Sequence, residues 1–188
     1  KNVVYLPQLK RLSSVKKTIL EDGNSQIYYL DQFDYSIDEE ILKGKNVITI
    51  TNFNLPKSDK FFFSEGIFNL KNKEFVAKDT KINIHNEIFG VLDNEPRIYG
   101  VSSEGNENYT KIKKGSFTSC KRRDNCPAWS VKSELIEHDK EKKQIRYKNA
   151  FLNIFDIPVF YFPTFFHPDP SVKRQSGLLR PINNNSDI

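Results

Sequence analysis

The fold is decided by the stretch KFFFSEGIFNLKNKEFVAKDTKINI, residues 60–84. It contains two aromatic and β-branched runs, separated by the Lys- and Asn-rich segment 70–73. Short runs of this kind, bounded by turn-forming residues, are typical of a β-hairpin. We therefore expect a strand, a charged turn and a second strand here.

A similar unit follows in WSVKSELIEHDKEKKQIRYKNAFLNI, residues 129–154. Residues 63–67 align with residues 132–136 at an offset of 69, and Val76 then aligns with Ile145. A weaker copy covers 29–47, at half that spacing. Hairpin units like these cannot bury an apolar face alone and must stack on their neighbours. The alternative is chance similarity among Lys-rich hairpins.

The composition favours an all-β protein. The 188 residues are enough for one domain and include 15 Phe and 8 Tyr, whereas Ala occurs only at positions 77, 128 and 150. No run approaches the ~18 apolar residues of a membrane helix. The chain begins with Lys rather than Met, so we expect it to be part of a longer protein. The net charge of +5 suits a partner that carries phosphates or an anionic surface.

Side chains alternate along a strand, so stacked hairpins would align one apolar set into a continuous strip. The strip is a closed core if the sheets close fully, and a groove if one edge stays open. We predict these members: Phe61, Phe63, Val76, Ile82, Ile84, Trp129, Val131, Ile145, Tyr147, Phe151 and Ile154.

The sequence offers little for catalysis. His85, His138 and His167 are scattered, and no nucleophile motif or glycine-rich phosphate loop is present. Two Cys without a nearby His do not supply four metal ligands. We expect neither an enzyme nor a cofactor, and no nucleic-acid partner.

Five segments carry a resemblance to a known family. They are GSFTSC (115–120), WSV (129–131), NA (149–150), IPVFYFP (157–163) and KRQSGLLRP (173–181). Together they resemble the LptD family of lipopolysaccharide-assembly proteins, also called organic solvent tolerance (OstA) proteins. The match covers the end of that family's periplasmic domain and the start of its barrel.

The resemblance implies an open β-jelly roll that leads into a truncated outer-membrane β-barrel. The jelly roll would cover 1–156, and 157–188 would form a stiff Pro-rich connector and the first barrel strand, in which Pro181 weakens pairing at a lateral gate. Prolines 158, 163, 168 and 170 each remove a strand hydrogen-bond donor, so this segment cannot be a regular central strand.

The implied function is non-enzymatic transport of lipopolysaccharide. The periplasmic jelly roll would accept the lipid from the bridge protein LptA, which pairs with an edge strand, and pass it to a barrel plugged by the lipoprotein LptE. The whole protein would lie in the outer membrane. The alternative is a lectin-like carbohydrate-binding β-sandwich, which predicts exposed aromatic side chains on one outer face.

Two further groups receive roles from the resemblance. Lys113, Lys114, Arg122 and Arg123 would contact the phosphates of the lipid headgroup, unless they form only a solvated face. Cys120 matches a position that forms a long-range disulfide in the family, but Cys126 also permits a local bond. We expect a disulfide of one kind or the other, in an oxidising compartment.

Overall fold

Short alternating runs produce strands throughout the computed structural model, which describes residues 3–21, 26–51, 58–84, 95–122 and 127–168. No α-helix occurs among these residues, and no helix there is long and apolar enough to cross a membrane. Besides one 3₁₀ turn at Pro7–Leu9, the elements are β1 (Val4–Leu6), β2 (Arg11–Ser14), β3 (Thr18–Glu21), β4 (Gln26–Leu30), β5 (Gln32–Ser36), β6 (Ile41–Thr51), β7 (Lys60–Asn69), β8 (Glu74–Asn83), β9 (Arg97–Gly105), β10 (Tyr109–Thr118), β11 (Trp129–Asp139), β12 (Gln144–Ile154) and β13 (Ile157–Pro168).

These strands form one antiparallel sheet in the order β1-β2-β5-β6-β7-β8-β9-β10-β11-β12-β13. Strand β6 carries two branches, because β5 pairs with its first half and β4, followed by β3, pairs with its second half. Within the described residues no ladder joins β13 back to β1 or β3, so the sheet is open. The all-β, open-sheet prediction is confirmed.

Four long strands each contain one residue in the left-handed backbone region, and together these residues define what we call the fold line. They are Asn46, Asp79, Lys114 and Asn149, with φ between 47° and 50°, at intervals of 33, 35 and 35 residues. At each of them the strand pairing skips a position. Asn and Asp tolerate this conformation better than most residues, which suits three of the four positions.

The fold line divides the sheet into two halves. Half A contains β1, β2, β5 and the segments 41–45, 65–69, 74–78, 102–105, 109–113, 135–139, 144–148 and 164–168. Half B contains β3, β4 and the segments 47–51, 60–63, 80–83, 97–100, 115–118, 129–133, 150–154 and 157–162.

The halves pack face to face. Phe117 lies on β10 in half B and His167 on β13 in half A, with two strands between them. In a flat sheet three strand spacings amount to about 14 Å, yet the two ring centroids are 5.8 Å apart. The sheet is therefore bent along the fold line, and its inner face becomes the interior.

The alternation of faces shifts by one residue at each fold-line position, where the pairing skips one residue on both strands and the register stays the same. On β12, Tyr147 and Ala150 are three residues apart, yet both point inward and are fully buried. The inner positions next to the bend are often small. A Cβ added to Gly115 would lie 2.5 Å from the Ile136 Cδ1 atom, so a larger residue here would force the Ile136 side chain to move.

The internal repeat is present as two hairpins, β7–β8 and β11–β12, but the offset of 69 is wrong by one residue. The fold-line residues Asp79 and Asn149 are 70 residues apart, and so are Lys73 and Lys143, which end the two hairpin turns with positive φ. In this register Phe75, and not Val76, corresponds to Ile145.

Strand β13 corrects the prediction that the connector begins after residue 156. Residues 157–168 pair with β12 along their whole length, so the sheet extends beyond the predicted boundary. Its prolines are accommodated because β13 is an edge strand, in which only one side needs donors. Pro163 faces Asn149 at the fold line, where pairing is already interrupted. Pro170 and the predicted first barrel strand lie outside the described residues.

Candidate functional site: the apolar interior

The interior is lined by two clusters of buried side chains that share Phe61. The first cluster occupies the β8–β13 end of the sheet and the second the β4–β8 end, and Phe61 packs against both. The buried members are, in the first, Ile82, Ile98, Ile112, Phe117, Val131, Ile136, Ile145, Tyr147 and Ala150, and in the second, Tyr28, Leu30, Phe33, Leu42, Val47, Phe63, Phe68 and Ala77. The apolar interior is thus continuous along the roll.

Eight of the eleven predicted strip residues line or pack against this interior: Phe61, Phe63, Ile82, Ile84, Trp129, Val131, Ile145 and Tyr147. The other three are not brought together with them. Val76, Phe151 and Ile154 are exposed by 57%, 43% and 38%. Val76 and Phe151 were predicted to point inward on the assumption of uninterrupted alternation, which takes no account of the fold line. Ile154 lies just after a second irregularity in the strand pairing, between Leu152 and Asn153.

An aromatic ladder on β12 and β13 escaped the sequence analysis. Ring centroids are 5.8 Å apart between Tyr147 and Phe165, 5.3 Å between Phe165 and Phe162, and 4.9 Å between Phe162 and Phe160. The ladder runs from the fully buried Tyr147 to Phe160, which is 60% exposed. The alternation Phe160–Phe162, resumed at Phe165–His167 after Pro163, could have revealed it.

Two pairs of polar side chains in the interior are bonded to each other. The Tyr147 hydroxyl lies 2.9 Å from His167 Nε2, and His167 Nδ1 lies 2.7 Å from the Pro168 carbonyl oxygen. The carbonyl can only accept, so Nδ1 donates and, in neutral His167, Nε2 accepts from Tyr147. Burial raises the pKa of Tyr147. The buried hydroxyls of Thr80 and Ser103 bond to each other at 2.6 Å.

Among the described residues, the halves are linked by backbone through the strands that cross the fold line and through the short connections β2–β3 and β4–β5. Every backbone hydrogen bond described here joins neighbouring strands or closes a turn. Parting the halves away from the fold line therefore breaks side-chain contacts and no sheet ladder.

The predicted headgroup residues do not form one patch. Lys113 and Lys114 are exposed beside the fold line, whereas Arg122 lies beyond the far end of half B. There its side chain bonds to Asn83 Oδ1 at 2.9 Å and pairs with Glu95 at 3.5 Å. Arg123 lies outside the described residues.

The structure describes one of the two cysteines for which a disulfide was predicted. Cys120 is half-buried and outside any disulfide in the described part of the chain, and its amide donates to Thr118 Oγ1 at 3.1 Å. Cys126 and the gate residue Pro181 lie outside the described residues, so both roles stay predictions. In the same described ranges no three His, Cys, Asp or Glu side chains group to hold a metal.

An open, bent sheet around an apolar interior defines an all-β jelly-roll domain. No family model matches the sequence. Curated proteins named LPS-assembly protein LptD do match: one from Vibrio vulnificus is 25% identical over 88% of this chain, and one from Vibrio cholerae 30% over 78%. One from Yersinia pestis is 42% identical over 39% of the chain. We therefore place the chain in the LptD family, as its motifs predicted. It spans about a fifth of the length of the Vibrio proteins, and the Yersinia match about a tenth.

Proposed function

We propose that this domain carries lipopolysaccharide by holding its acyl chains in the apolar interior between halves A and B. The observation that carries the proposal is the continuity of the two clusters through Phe61. Moving a lipid through water requires hiding its chains at about 0.8 kcal/mol per CH₂, or roughly 10 kcal/mol for one long chain. A continuous apolar path lets the lipid slide without that exposure.

The aromatic ladder gives the path a direction. Its exposed end at Phe160 lies on β13, the last described strand before the chain continues past residue 168. The lipid would leave along β13 toward the C-terminal barrel that the family resemblance implies. The barrel, its plug LptE and an outer-membrane location of the whole protein, with this portion in the periplasm, are parts of this proposal.

The N-terminal edge suits the bridge protein LptA. It offers β1 and β3, which have no described neighbour on one side. By contrast, β13 carries prolines at 158, 163 and 168, which lack amide donors and so discourage strand addition. A strand added to β1 or β3 would continue the sheet and extend the interior into the bridge.

Photocrosslinking in cells that make the full-length protein tests the transport proposal. Benzoylphenylalanine replaces Phe63 or Phe165 inside the roll, and Val76 on the outer face serves as the control. We expect lipopolysaccharide adducts at the two interior positions, dependent on energy supply, and none at Val76. No interior adducts, or equal adducts at Val76, would show that the interior is a closed core and the domain a docking scaffold.

The bridge contact has its own test. The same probe at Tyr5 on β1 or Ile19 on β3, both exposed, should capture LptA, whereas the probe at Val159 on β13 should not. Capture at Val159 alone would reverse the assignment of the edges.

A further inference from the structure

The outer face of half B carries a row of aromatic and lysine side chains. Strand register places Ser116, Lys132, Phe151 and Tyr161 side by side on β10–β13. The row continues to Tyr99 on β9. Tyr99, Phe151 and Tyr161 are more than two-fifths exposed. Exposed aromatics on one outer face are the feature that the carbohydrate-binding alternative predicted.

The centre of this row is a shallow cleft of about 520 Å³ that is widely open to solvent. The backbone at Gly115 and Ser133 forms its floor, because both residues point inward. The side chains at its rim are Lys114, Ser116, Lys132, Glu134, Asn149 and Phe151. The cleft faces away from the apolar interior.

Several of these groups are held in place before any ligand binds. Asn149 Nδ2 donates to Glu134 Oε2 at 2.6 Å, and the Tyr161 hydroxyl donates to Asn149 Oδ1 at 2.9 Å. The Phe151 and Tyr161 ring centroids are 4.9 Å apart. The Phe151 ring is therefore held in position by Tyr161 and is half-exposed at the edge of the cleft.

The charges define the chemistry that fits. Lys114 and Lys132 supply two ammonium groups, Lys132 in an exposed pair with Asp156 at 2.9 Å. Glu134 and Ser116 can bond to hydroxyl groups. An apolar ring face beside hydroxyl-binding groups and two cations suits a sugar ring that bears an anionic substituent.

We propose that this cleft binds a phosphorylated sugar. The sugar ring stacks on Phe151, its hydroxyls bond to Glu134 and Ser116, and the phosphate lies between Lys114 and Lys132. The sugar is either free or the headgroup of a glycolipid, because both offer the same groups. The site is on the opposite face from the lipid path, so it stands or fails independently of the transport proposal.

Nucleic acid fits this cleft less well. A strand presents one phosphate per nucleotide along a groove and requires a basic track. Here the carboxylates of Glu134 and Asp156 lie beside the two lysines. A single phosphate next to several hydroxyls matches this mixture better.

NMR titration of the ¹⁵N-labelled chain tests the site with three soluble probes: glucosamine 6-phosphate, glucosamine and inorganic phosphate. We expect saturable shifts of the amides around 114–116, 132–134 and 149–151, with glucosamine 6-phosphate bound at least tenfold more tightly than either part. Equal affinity for inorganic phosphate would reduce the site to a nonspecific cationic patch and overturn the proposal. So would no saturable binding, or tighter binding of an oligothymidylate of matched concentration.

Matched variants locate the contacts. Phe151→Ala and Lys132→Gln should each weaken glucosamine 6-phosphate binding at least fivefold. The controls Phe166→Ala and Lys43→Gln, both exposed but outside the cleft, should change it less than twofold. Asp156→Asn removes the carboxylate that pairs with Lys132 and should therefore strengthen binding. Asn tolerates the positive φ of 64° at this position, so the backbone should be retained. Equal effects in cleft and control variants would overturn the assignment.

A final experiment distinguishes a free sugar phosphate from the headgroup of a glycolipid. With benzoylphenylalanine at Phe151 of the full-length protein, a lipopolysaccharide adduct would identify the carried glycolipid as the ligand. Sugar-phosphate binding in vitro without that adduct would support a separate saccharide. Interior adducts at Phe63 report on transport alone.

Discussion

The inner and outer faces of the same strands use similar residues for different purposes. On β12, Tyr147 points inward and is 1% exposed, whereas Phe151 points outward and is 43% exposed. The inner aromatic contacts Phe165 and His167, while Phe151 lies between Lys132 on one neighbouring strand and Tyr161 on the other. The face that a side chain occupies, and not its type, therefore decides whether it belongs to the apolar path or to the outer surface.

The fold line sets that face. An ordinary strand would place Tyr147 and Phe151 on the same side, because four residues separate them. The left-handed residue Asn149 between them shifts the alternation by one. The difference between the two faces can thus be tested in three ways. A charge can be placed on each face, a fold-line residue can be replaced, or the paired polar groups of the interior can be removed.

The largest effect is expected from a charge on each face in turn. Phe63→Asp removes a buried ring and buries a carboxylate among Phe68 and Phe75, which should cost at least about 4 kcal/mol. Phe151→Asp on the outer face should change the free energy of unfolding by less than about 1 kcal/mol. Urea unfolding followed by tryptophan fluorescence measures both.

This pair of variants also checks the assignment of the faces. The two substitutions are chemically identical, so a difference between them reports only on the surroundings. If Phe151→Asp were as damaging as Phe63→Asp, the outward position of Phe151 would be wrong, and with it the shift at Asn149.

A somewhat smaller effect is expected at the fold line. Asn149→Val forces a β-branched residue to φ = 50° and removes the bonds to Glu134 and Tyr161. Together these should cost about 2–3 kcal/mol. Asn149→Gly loses the same bonds but keeps the backbone relaxed, so it should cost about 1 kcal/mol.

Thermal or urea unfolding of the two Asn149 variants separates the backbone from the side-chain contribution. Equal losses of stability would mean that the left-handed backbone contributes nothing, and the bend would then need another cause. Lys114→Gly should be neutral or stabilising, since Lys114 has φ = 49° and no bonds of the Asn149 kind are described for it.

The sequence was sufficient for the strands and hairpins but not for their faces. The alternating runs at 60–84 and 129–154 predict β7, β8, β11 and β12. The offset of 69 instead of 70 moved Val76 to the inner face, because a slip of one residue reverses every side chain. Fold-line residues such as Asn46 and Asn149 fit the left-handed region, but Lys114 carries no such signal.

The edge strand shows a second limit of sequence reasoning. Prolines at 158, 163 and 168 exclude a central strand, which led to the connector prediction. They do not exclude an edge strand, and only the tertiary structure shows that β13 has one neighbour among the described strands. The aromatic ladder was missed for that reason.

An effect of intermediate size is expected from the buried hydroxyl pair at the bend. Thr80→Val leaves Ser103 Oγ without the partner it has at 2.6 Å, at a cost of about 1–2 kcal/mol. Adding Ser103→Ala removes the stranded hydroxyl, so the double variant should be more stable than Thr80→Val alone. A double-mutant cycle by urea unfolding measures the coupling, and strictly additive losses would show that the two hydroxyls do not depend on each other.

The smallest effect is a dependence on alkaline pH through Tyr147. Burial raises the pKa of its hydroxyl, so the folded chain keeps a proton that the unfolded chain releases near pH 10. The stability contributed by neutral Tyr147 is complete below about pH 10 and is lost as the pH rises further, at up to about 1.4 kcal/mol per pH unit. Tyr147→Phe loses the bond to His167 and should lower stability slightly at neutral pH while reducing the slope above pH 10 by one proton. Tyr161→Phe on the outer face is the control, and equal alkaline slopes in the two variants would contradict the burial of Tyr147.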